Sequence, residues 1–253
     1  MQLNHQIHGS GQPLIILHGL FGTLENWGSQ IKTLAEHYRV IAVDLRNHGR
    51  SPHSEQMDYA SMAQDIVELM DQLELPSAHL LGHSMGGKVA MQLALNAPER
   101  IDKLIVVDIA PVQYPAHHDD VFKGLFAIDL AELGSRGDAD RQLAIHVEEP
   151  SVRAFLLKNL YRTEQKQFAW RMNLASLHQQ YGRISEAPSG DAFQGPTLFI
   201  KGANSDYLVP AYRDQVVALF PSAGYKMIDG AGHWPHAEKP AQFSRIVLNF
   251  LAD

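Results

Sequence analysis

Three short glycine-bearing segments hold the residue types that acyl transfer needs. Residues 82–86 read Gly-His-Ser-Met-Gly, a G-x-S-x-G pattern centred on Ser84. A serine hydroxyl is a weak nucleophile and needs a neighbouring base to take its proton. The pattern alone says little, but its setting says more. The apolar run HLLGH leads into it and the helical pattern GGKVAMQLAL follows. Strand, sharp turn and helix in that order would expose the hydroxyl, with Gly82 and Gly86 small enough for the backbone to close around it. The helix start would aim its free N–H groups and positive dipole end at Ser84, where negative charge develops during attack.

The second segment, residues 18–22, reads His-Gly-Leu-Phe-Gly and follows the apolar run LIIL. A tetrahedral acyl intermediate carries an oxyanion held by N–H donors, each contributing about 3 kcal/mol to transition-state stabilisation. The N–H of Met85, next after the serine, is one candidate. The N–H of Leu20 is the other, with Phe21 next in order. His18 is placed to brace this loop through a ring hydrogen bond.

The third segment is Gly230-Ala231-Gly232-His233-Trp234-Pro235-His236, behind the apolar run YKMID. Flanking glycines let a histidine on such a loop swing onto a serine. His233 is therefore the candidate general base, taking the serine proton and returning it to the leaving group. Trp234 beside it is a candidate substrate contact. His236 is the rival, but it lies nearer the following helix and reads as a packing or capping residue. Among the 14 histidines, His83 reads as packing beside the turn, and His117 and His118 are adjacent, so they cannot share one face of an element. H-E-x-x-H and cysteine are both absent, so no catalytic metal is expected.

Two aspartates fit as the acid that would orient His233. Asp206 lies in GANSDYLVP and Asp108 in LIVVDIAP. Asp206 sits among polar loop residues, where a solvated carboxylate costs nothing. Asp108 ends a buried apolar run, where an unpaired carboxylate is costly and a bond to His233 would satisfy it. Physical context favours Asp108, although capping of nearby N–H groups would also account for it. Ser205 could support either acid. Asp44, in DLRNHGRS, precedes Ser84 and reads as scaffold, with Arg46 reaching toward the mouth of the site.

These loops need strands to place them. Residues 14–19, 39–45, 79–83, 103–110, 196–202 and 225–230 read as strands, and their continuous apolarity suggests burial on both faces. Helical patterns at about 27–37, 59–74, 86–97, 211–220 and 239–251 alternate with them. That alternation argues a doubly wound parallel sheet. Residues 112–193 break the rhythm, with no good strand and helical stretches such as VRAFLLKNLY. They read as a helical cap inserted between two strands, leaving 1–111 and 194–253 as the core.

The bulk composition excludes several classes. The 253 residues suit one large α/β domain, and 45% hydrophobic with 19% charged residues is the balance of a compact globular chain. A formal charge of −7 without a basic face argues against nucleic acid as a partner. The absence of cysteine removes disulfides and thiolate chemistry and fits a reducing compartment. The opening MQLNHQIHGSGQP lacks a basic start followed by an apolar core. No apolar run approaches the roughly 20 residues a membrane span needs. A cytoplasmic protein, monomeric or a homodimer, with no membrane partner is expected.

Taken together, HGLFG, DLRNHGRS, GHSMGGK, VVDIAP and GAGHWPHAEKP resemble the small bacterial esterases of the YbfF type within the α/β-hydrolases, over residues 18 to 240. The resemblance implies an α/β-hydrolase fold with Ser84 as nucleophile, His233 as base, Asp108 as acid and Ser205 close by. It implies cofactor-free hydrolysis of short acyl esters and acyl-CoA thioesters. Asp206 adds a second carboxylate beside Ser205, so the choice of acid stays open at this stage. The same triad on carbon–carbon bonds or in perhydrolysis, and a catalytically dead binding scaffold, are the competing readings. In the cap, Trp170, Arg171 and Asn173 either reach the pocket or join the cap to the core.

Overall fold

A computed structural model of the protein describes residues 1–252. The first half runs β1 (His5–His8), β2 (Pro13–Leu17), α1 (Gly28–Leu34), β3 (Arg39–Val43), α2 (Tyr59–Gln72), β4 (Ala78–His83), α3 (Met85–Asn96) and β5 (Ile101–Val107). An insertion follows, with α4 (Asp119–Ala127), α5 (Arg136–Leu143), α6 (Pro150–Leu156), β6 (Leu160–Arg162), β7 (Phe168–Trp170), α7 (Leu174–Gln179) and α8 (Tyr181–Ser185). The chain closes with β8 (Thr197–Gly202), α9 (Arg213–Leu219), β9 (Ala223–Ile228), α10 (Pro235–Glu238) and α11 (Pro240–Ala252).

Seven strands form one sheet in the order β1-β3-β2-β4-β5-β8-β9. All neighbours pair in parallel except β1, which runs antiparallel to β3. Side chains alternate across the sheet, as the pleat requires. Ile15 and Leu17 of β2 join a cluster with Ile66 of α2 and Val89 of α3, while Leu14 and Ile16 face Leu34 of α1 and Phe243 of α11. Both faces are thus covered, which is why LIIL of β2 and LIVV of β5 read as unbroken apolar runs. α2 starts where the Asp58 side chain accepts the Ser61 N–H, and its buried Met62, Ile66, Leu69 and Met70 form one apolar stripe.

The topology brings the chemical segments together. From β2 the chain moves outward to β3, then returns to place β4 on the other side of β2. The loops after β2 and β4 therefore leave the sheet side by side at a reversal of strand order, where open α/β sheets bind ligands. Register keeps them level, since Leu17 pairs with Gly82, His83 with Val107 and Val107 with Ile200.

The sequence expectations need correction at some elements. β1 was not foreseen, because HQIH carries a single aliphatic residue and lies at an edge. Residues 112–193 are not purely helical, since β6 and β7 pair as an antiparallel hairpin. Strands of three residues are too short to leave a period in the sequence. β9 starts before the expected residue 225, and as an edge strand it leaves Tyr225 and Met227 exposed. Among the described residues no helix is long and apolar enough to cross a membrane.

Candidate active site

Ser84 sits at the tip of the β4–α3 turn with φ 51° and ψ −119°. A non-glycine residue there is strained, and such strain persists only where the surroundings fix it. Its N–H donates to Val107 O at 3.0 Å, and its carbonyl accepts the Lys88 N–H at 3.1 Å. A Cβ on Gly82 would collide with the Gly86 carbonyl, and one on Gly86 with the carbonyls of Leu17 and His18. Both glycines of the motif are therefore required by close backbone approach.

His233 reaches Ser84 from the loop between β9 and α10. Its Nε2 lies 3.1 Å from Ser84 Oγ and its Nδ1 lies 2.7 Å from Asp108 Oδ2. Asp108 is fully buried just past β5, with φ 52°. Its carboxylate is not left orphaned. Oδ1 accepts the Gly202 N–H at 3.1 Å, and Oδ2 also accepts the Ser205 hydroxyl. Satisfaction of this kind offsets the cost of burying the group. The His233 loop is held from two more directions: His83 Nε2–H donates to the His233 carbonyl at 2.7 Å, and Glu238 accepts the N–H groups of Gly232 and Trp234. The Tyr207 ring stacks on the imidazole with centroids 4.0 Å apart.

The loop after β2 is braced by two histidines. His18 Nδ1–H donates to Gly19 O at 2.8 Å while its Nε2 accepts the Leu45 N–H at 3.0 Å. His48 Nδ1–H donates to Arg46 O, leaving Nε2 to accept the Phe21 N–H at 3.1 Å. Burial keeps both rings neutral, lowering His18 and pushing His48 down to about 3. The Phe21 N–H is consequently occupied. The Leu20 N–H finds no acceptor among the described residues, and the Met85 N–H opens α3, where first-turn donors have no helical partner. Asn159, fully buried in the insertion, donates from Nδ2 to the Phe21 carbonyl at 2.7 Å.

The sequence profile described as alpha/beta hydrolase fold matches residues 12–240. The chain is 41% identical to the Esterase YbfF of Escherichia coli K12, over 96% of this chain and 94% of that one. The chain belongs to the α/β-hydrolase family and, within it, to the YbfF type. It is also 42% identical to the mouse sn-1-specific diacylglycerol lipase ABHD11, covering 94% of this chain and 80% of the relative. A solved structure named as a marine microorganism esterase superimposes with a TM-score of 0.96 at 38% identity, covering 98% of this chain and 99% of the other.

In this α/β-hydrolase the loops at the carboxyl ends of the strands gather Ser84, Asp108, His233, Leu20, Met85, Phe21 and Ser205, and Trp234 lines a cavity of about 340 Å3 that opens beside Ser84 and His233. Asp206 is exposed, although its neighbour Ser205 is buried, and the His233 Nδ1 that Asp206 was a candidate to orient is bonded to Asp108. Arg46 does not reach the mouth. It is buried and paired with Asp65 of α2 at 2.7 Å, where its extra donors also serve Gln56 O and Ser61 O. Asp44 is the scaffold it was read to be, accepting from Leu24 N–H, Arg50 N–H and Asn4 Nδ2. Asn173 bonds Asn47 through its N–H and its side chain, and the Arg171 carbonyl meets His53, so this stretch ties the insertion to the core. His236 packs flat on Trp27 at 4.2 Å, where burial lowers it to about 3. Reading His83 as packing missed its bond to the His233 loop. Asn159, Tyr207 and Glu238 were missed altogether, because no local motif marks a contact made across the fold.

Proposed function

We propose that this protein hydrolyses carboxylic esters through a covalent acyl-enzyme, with Ser84 as nucleophile, His233 as general base and Asp108 as the acid that orients it. The reading is carried by the continuous line of hydrogen-bonding groups from Asp108 through His233 to Ser84, facing a cavity. With Nδ1–H donated to Asp108, the Nε2 lone pair is left to accept the Ser84 proton. Ser84 Oγ attacks the ester carbonyl carbon as that proton moves to Nε2. The N–H groups of Leu20 and Met85 hold the resulting oxyanion. The carbonyl then re-forms, the bond to the alcohol oxygen breaks, and Nε2 hands its proton to the departing alcohol. Water attacks the acyl-enzyme, giving a proton to Nε2 that returns to Ser84 Oγ as the free acid leaves. No step requires a cofactor.

The esterase and lipase names of the relatives support an ester as the substrate class. Short to medium acyl esters come first in this reading, and acyl-CoA thioesters share the chemistry with sulfur as the departing atom. Residues 112–193 act as the cap that shapes the pocket. Purified protein should hydrolyse p-nitrophenyl esters in a survey from acetyl to palmitoyl, run beside acyl-CoA thioesters. Ser84→Ala should lower kcat by on the order of 10^4-fold or more with its melting temperature unchanged. Wild-type turnover by Ser84→Ala would end the reading.

A further inference from the structure

Ser84 stands between two cavities of unequal size. One, of about 40 Å3, lies between α3 and α8 and is walled by Tyr59, Met85, Ile109, Tyr114, Tyr181 and Ile184. The other, of about 340 Å3, opens toward α6 and is walled by Phe21, Val121, Val152, Phe155 and Trp234. Leu20, Ser84, His118 and Tyr207 border both and form the waist between them. His233 borders the larger cavity and not the smaller.

That asymmetry sorts the two halves of an ester. His233 Nε2 has to deliver its proton to the departing oxygen, so the alcohol half must lie on the His233 side. The acyl half then points the other way, past Met85. We infer that the 40 Å3 cavity is the acyl site and the 340 Å3 cavity the alcohol site, so that the substrates are esters of acetyl- to propionyl-sized acids with bulky apolar alcohols. The inference rests on the ester-hydrolase reading above.

Volume sets the acyl limit. About 10–15 Å3 of such space holds one water, so the small cavity takes roughly three atoms of that size and the large one more than twenty. Chemistry sets the rest. The polar heads around the small cavity are already engaged. Tyr59 OH donates to Ile184 O and Tyr114 OH to Tyr207 O. Lys88 Nζ donates to Ser185 O at 3.1 Å and Glu186 O at 2.6 Å, and lies 4.7 Å from the Tyr114 ring centroid. Tyr181 OH meets His118 Nδ1. What remains facing the space is ring and aliphatic surface, which suits a short alkyl chain. A second carboxylate on the acid would find these donors taken. The aromatic and branched walls of the large cavity likewise suit an apolar alcohol.

The test is a pair of substrate series. Acyl length is varied with p-nitrophenol as the fixed alcohol, and alcohol length is varied with acetate as the fixed acid. kcat/KM should fall at least about tenfold between propionyl and hexanoyl esters, consistent with the cost of overfilling a packed site. It should hold within about threefold, or rise, from butyl to octyl acetate. Ile184→Ala should move the acyl break to longer acids and leave the alcohol profile in place, and Val152→Trp should cut the alcohol profile alone. Ile109→Val gives a milder enlargement of the acyl cavity should Ile184→Ala fail to fold. Rates that tolerate long acids but fall with long alcohols would overturn the assignment, as would Ile184→Ala reshaping the alcohol profile. If the folded protein hydrolyses no ester in either series, the ester-hydrolase reading itself fails and this inference falls with it.

Discussion

Two regions meet at Ser84 and hold it by different means. On the sheet side, every chemical group is fixed by polar contacts at strand ends. Asp108 accepts from Gly202, Ser205 and His233, while His18 and His48 pin the loop after β2. On the insertion side the walls are largely apolar, and a few polar bolts hold them to the core. Asn159 reaches Phe21, Asn173 reaches Asn47, and Tyr59 and Lys88 hold the carbonyls at the end of α8. Hydrogen-bond networks specify one geometry, since a half-satisfied network is costly, whereas apolar packing tolerates volume-conserving change. The sheet side is therefore suited to fixed chemistry, and the insertion to a changeable choice of substrate.

The comparison breaks most readily at the acid. Asp108→Asn should cost on the order of 10^4-fold in kcat, because an amide there stabilises the wrong tautomer of His233. Asp206→Asn, on exposed loop, should stay within about twofold, as surface substitutions do. Steady-state rates on a single p-nitrophenyl ester decide it. A reversed order would move the orienting acid from the strand end to the loop, and the sheet side would lose its claim to fixed chemistry.

An intermediate effect tests the bolts. Asn159→Ala leaves the Phe21 carbonyl without its donor, at a cost of about 1–3 kcal/mol if the carbonyl stays buried. Because Phe21 adjoins Leu20, kcat should drop by about tenfold with KM changed little, the pattern of an interaction felt in the transition state. A change in KM alone would mean that the bolt shapes the pocket and not the loop. Kinetics beside a thermal melt separates either result from simple unfolding.

How legible this was in the sequence follows the same division. The three loops of the sheet side announce themselves, because glycines recur at short offsets from each chemical residue. Gly82 and Gly86 around Ser84 are demanded by backbone approach alone. Asp108 was legible as a buried carboxylate that a bond to His233, 125 residues away, would satisfy, but capping of nearby N–H groups also explained its burial from sequence alone. The insertion's bolts were invisible. Asn159 acts on a residue 138 positions earlier and carries no local signature. Arg46 misled because a cation beside a chemical loop looks available, whereas burial had already paired it with Asp65. Short-range constraints leave motifs, and contacts across the fold do not.

The smallest effect concerns the neutral rings under the sheet edge. His236 lies between Trp27 and His83, with His233 also nearby, and burial holds it at about 3. His48 is likewise lowered to about 3, and His83 well below its ordinary value. Each ring is neutral in the fold, yet takes a proton near pH 6.5 once unfolded. Below pH 6.5 the unfolded chain thus binds more protons, and stability falls as pH drops toward the lowered folded values, about 3 for His236 and His48. Each such ring contributes about 1.4 kcal/mol per pH unit over that window. His236→Phe keeps an aromatic face on Trp27 and removes one titration. Its stability at pH 7.5 should lie within about 1 kcal/mol of the parent, and its loss between pH 6 and pH 4 should be shallower by about one ring's share. Urea unfolding at three pH values measures both slopes. Equal slopes would mean that the fold admits a charged His236, and that the sheet side depends less on neutral rings than its geometry implies.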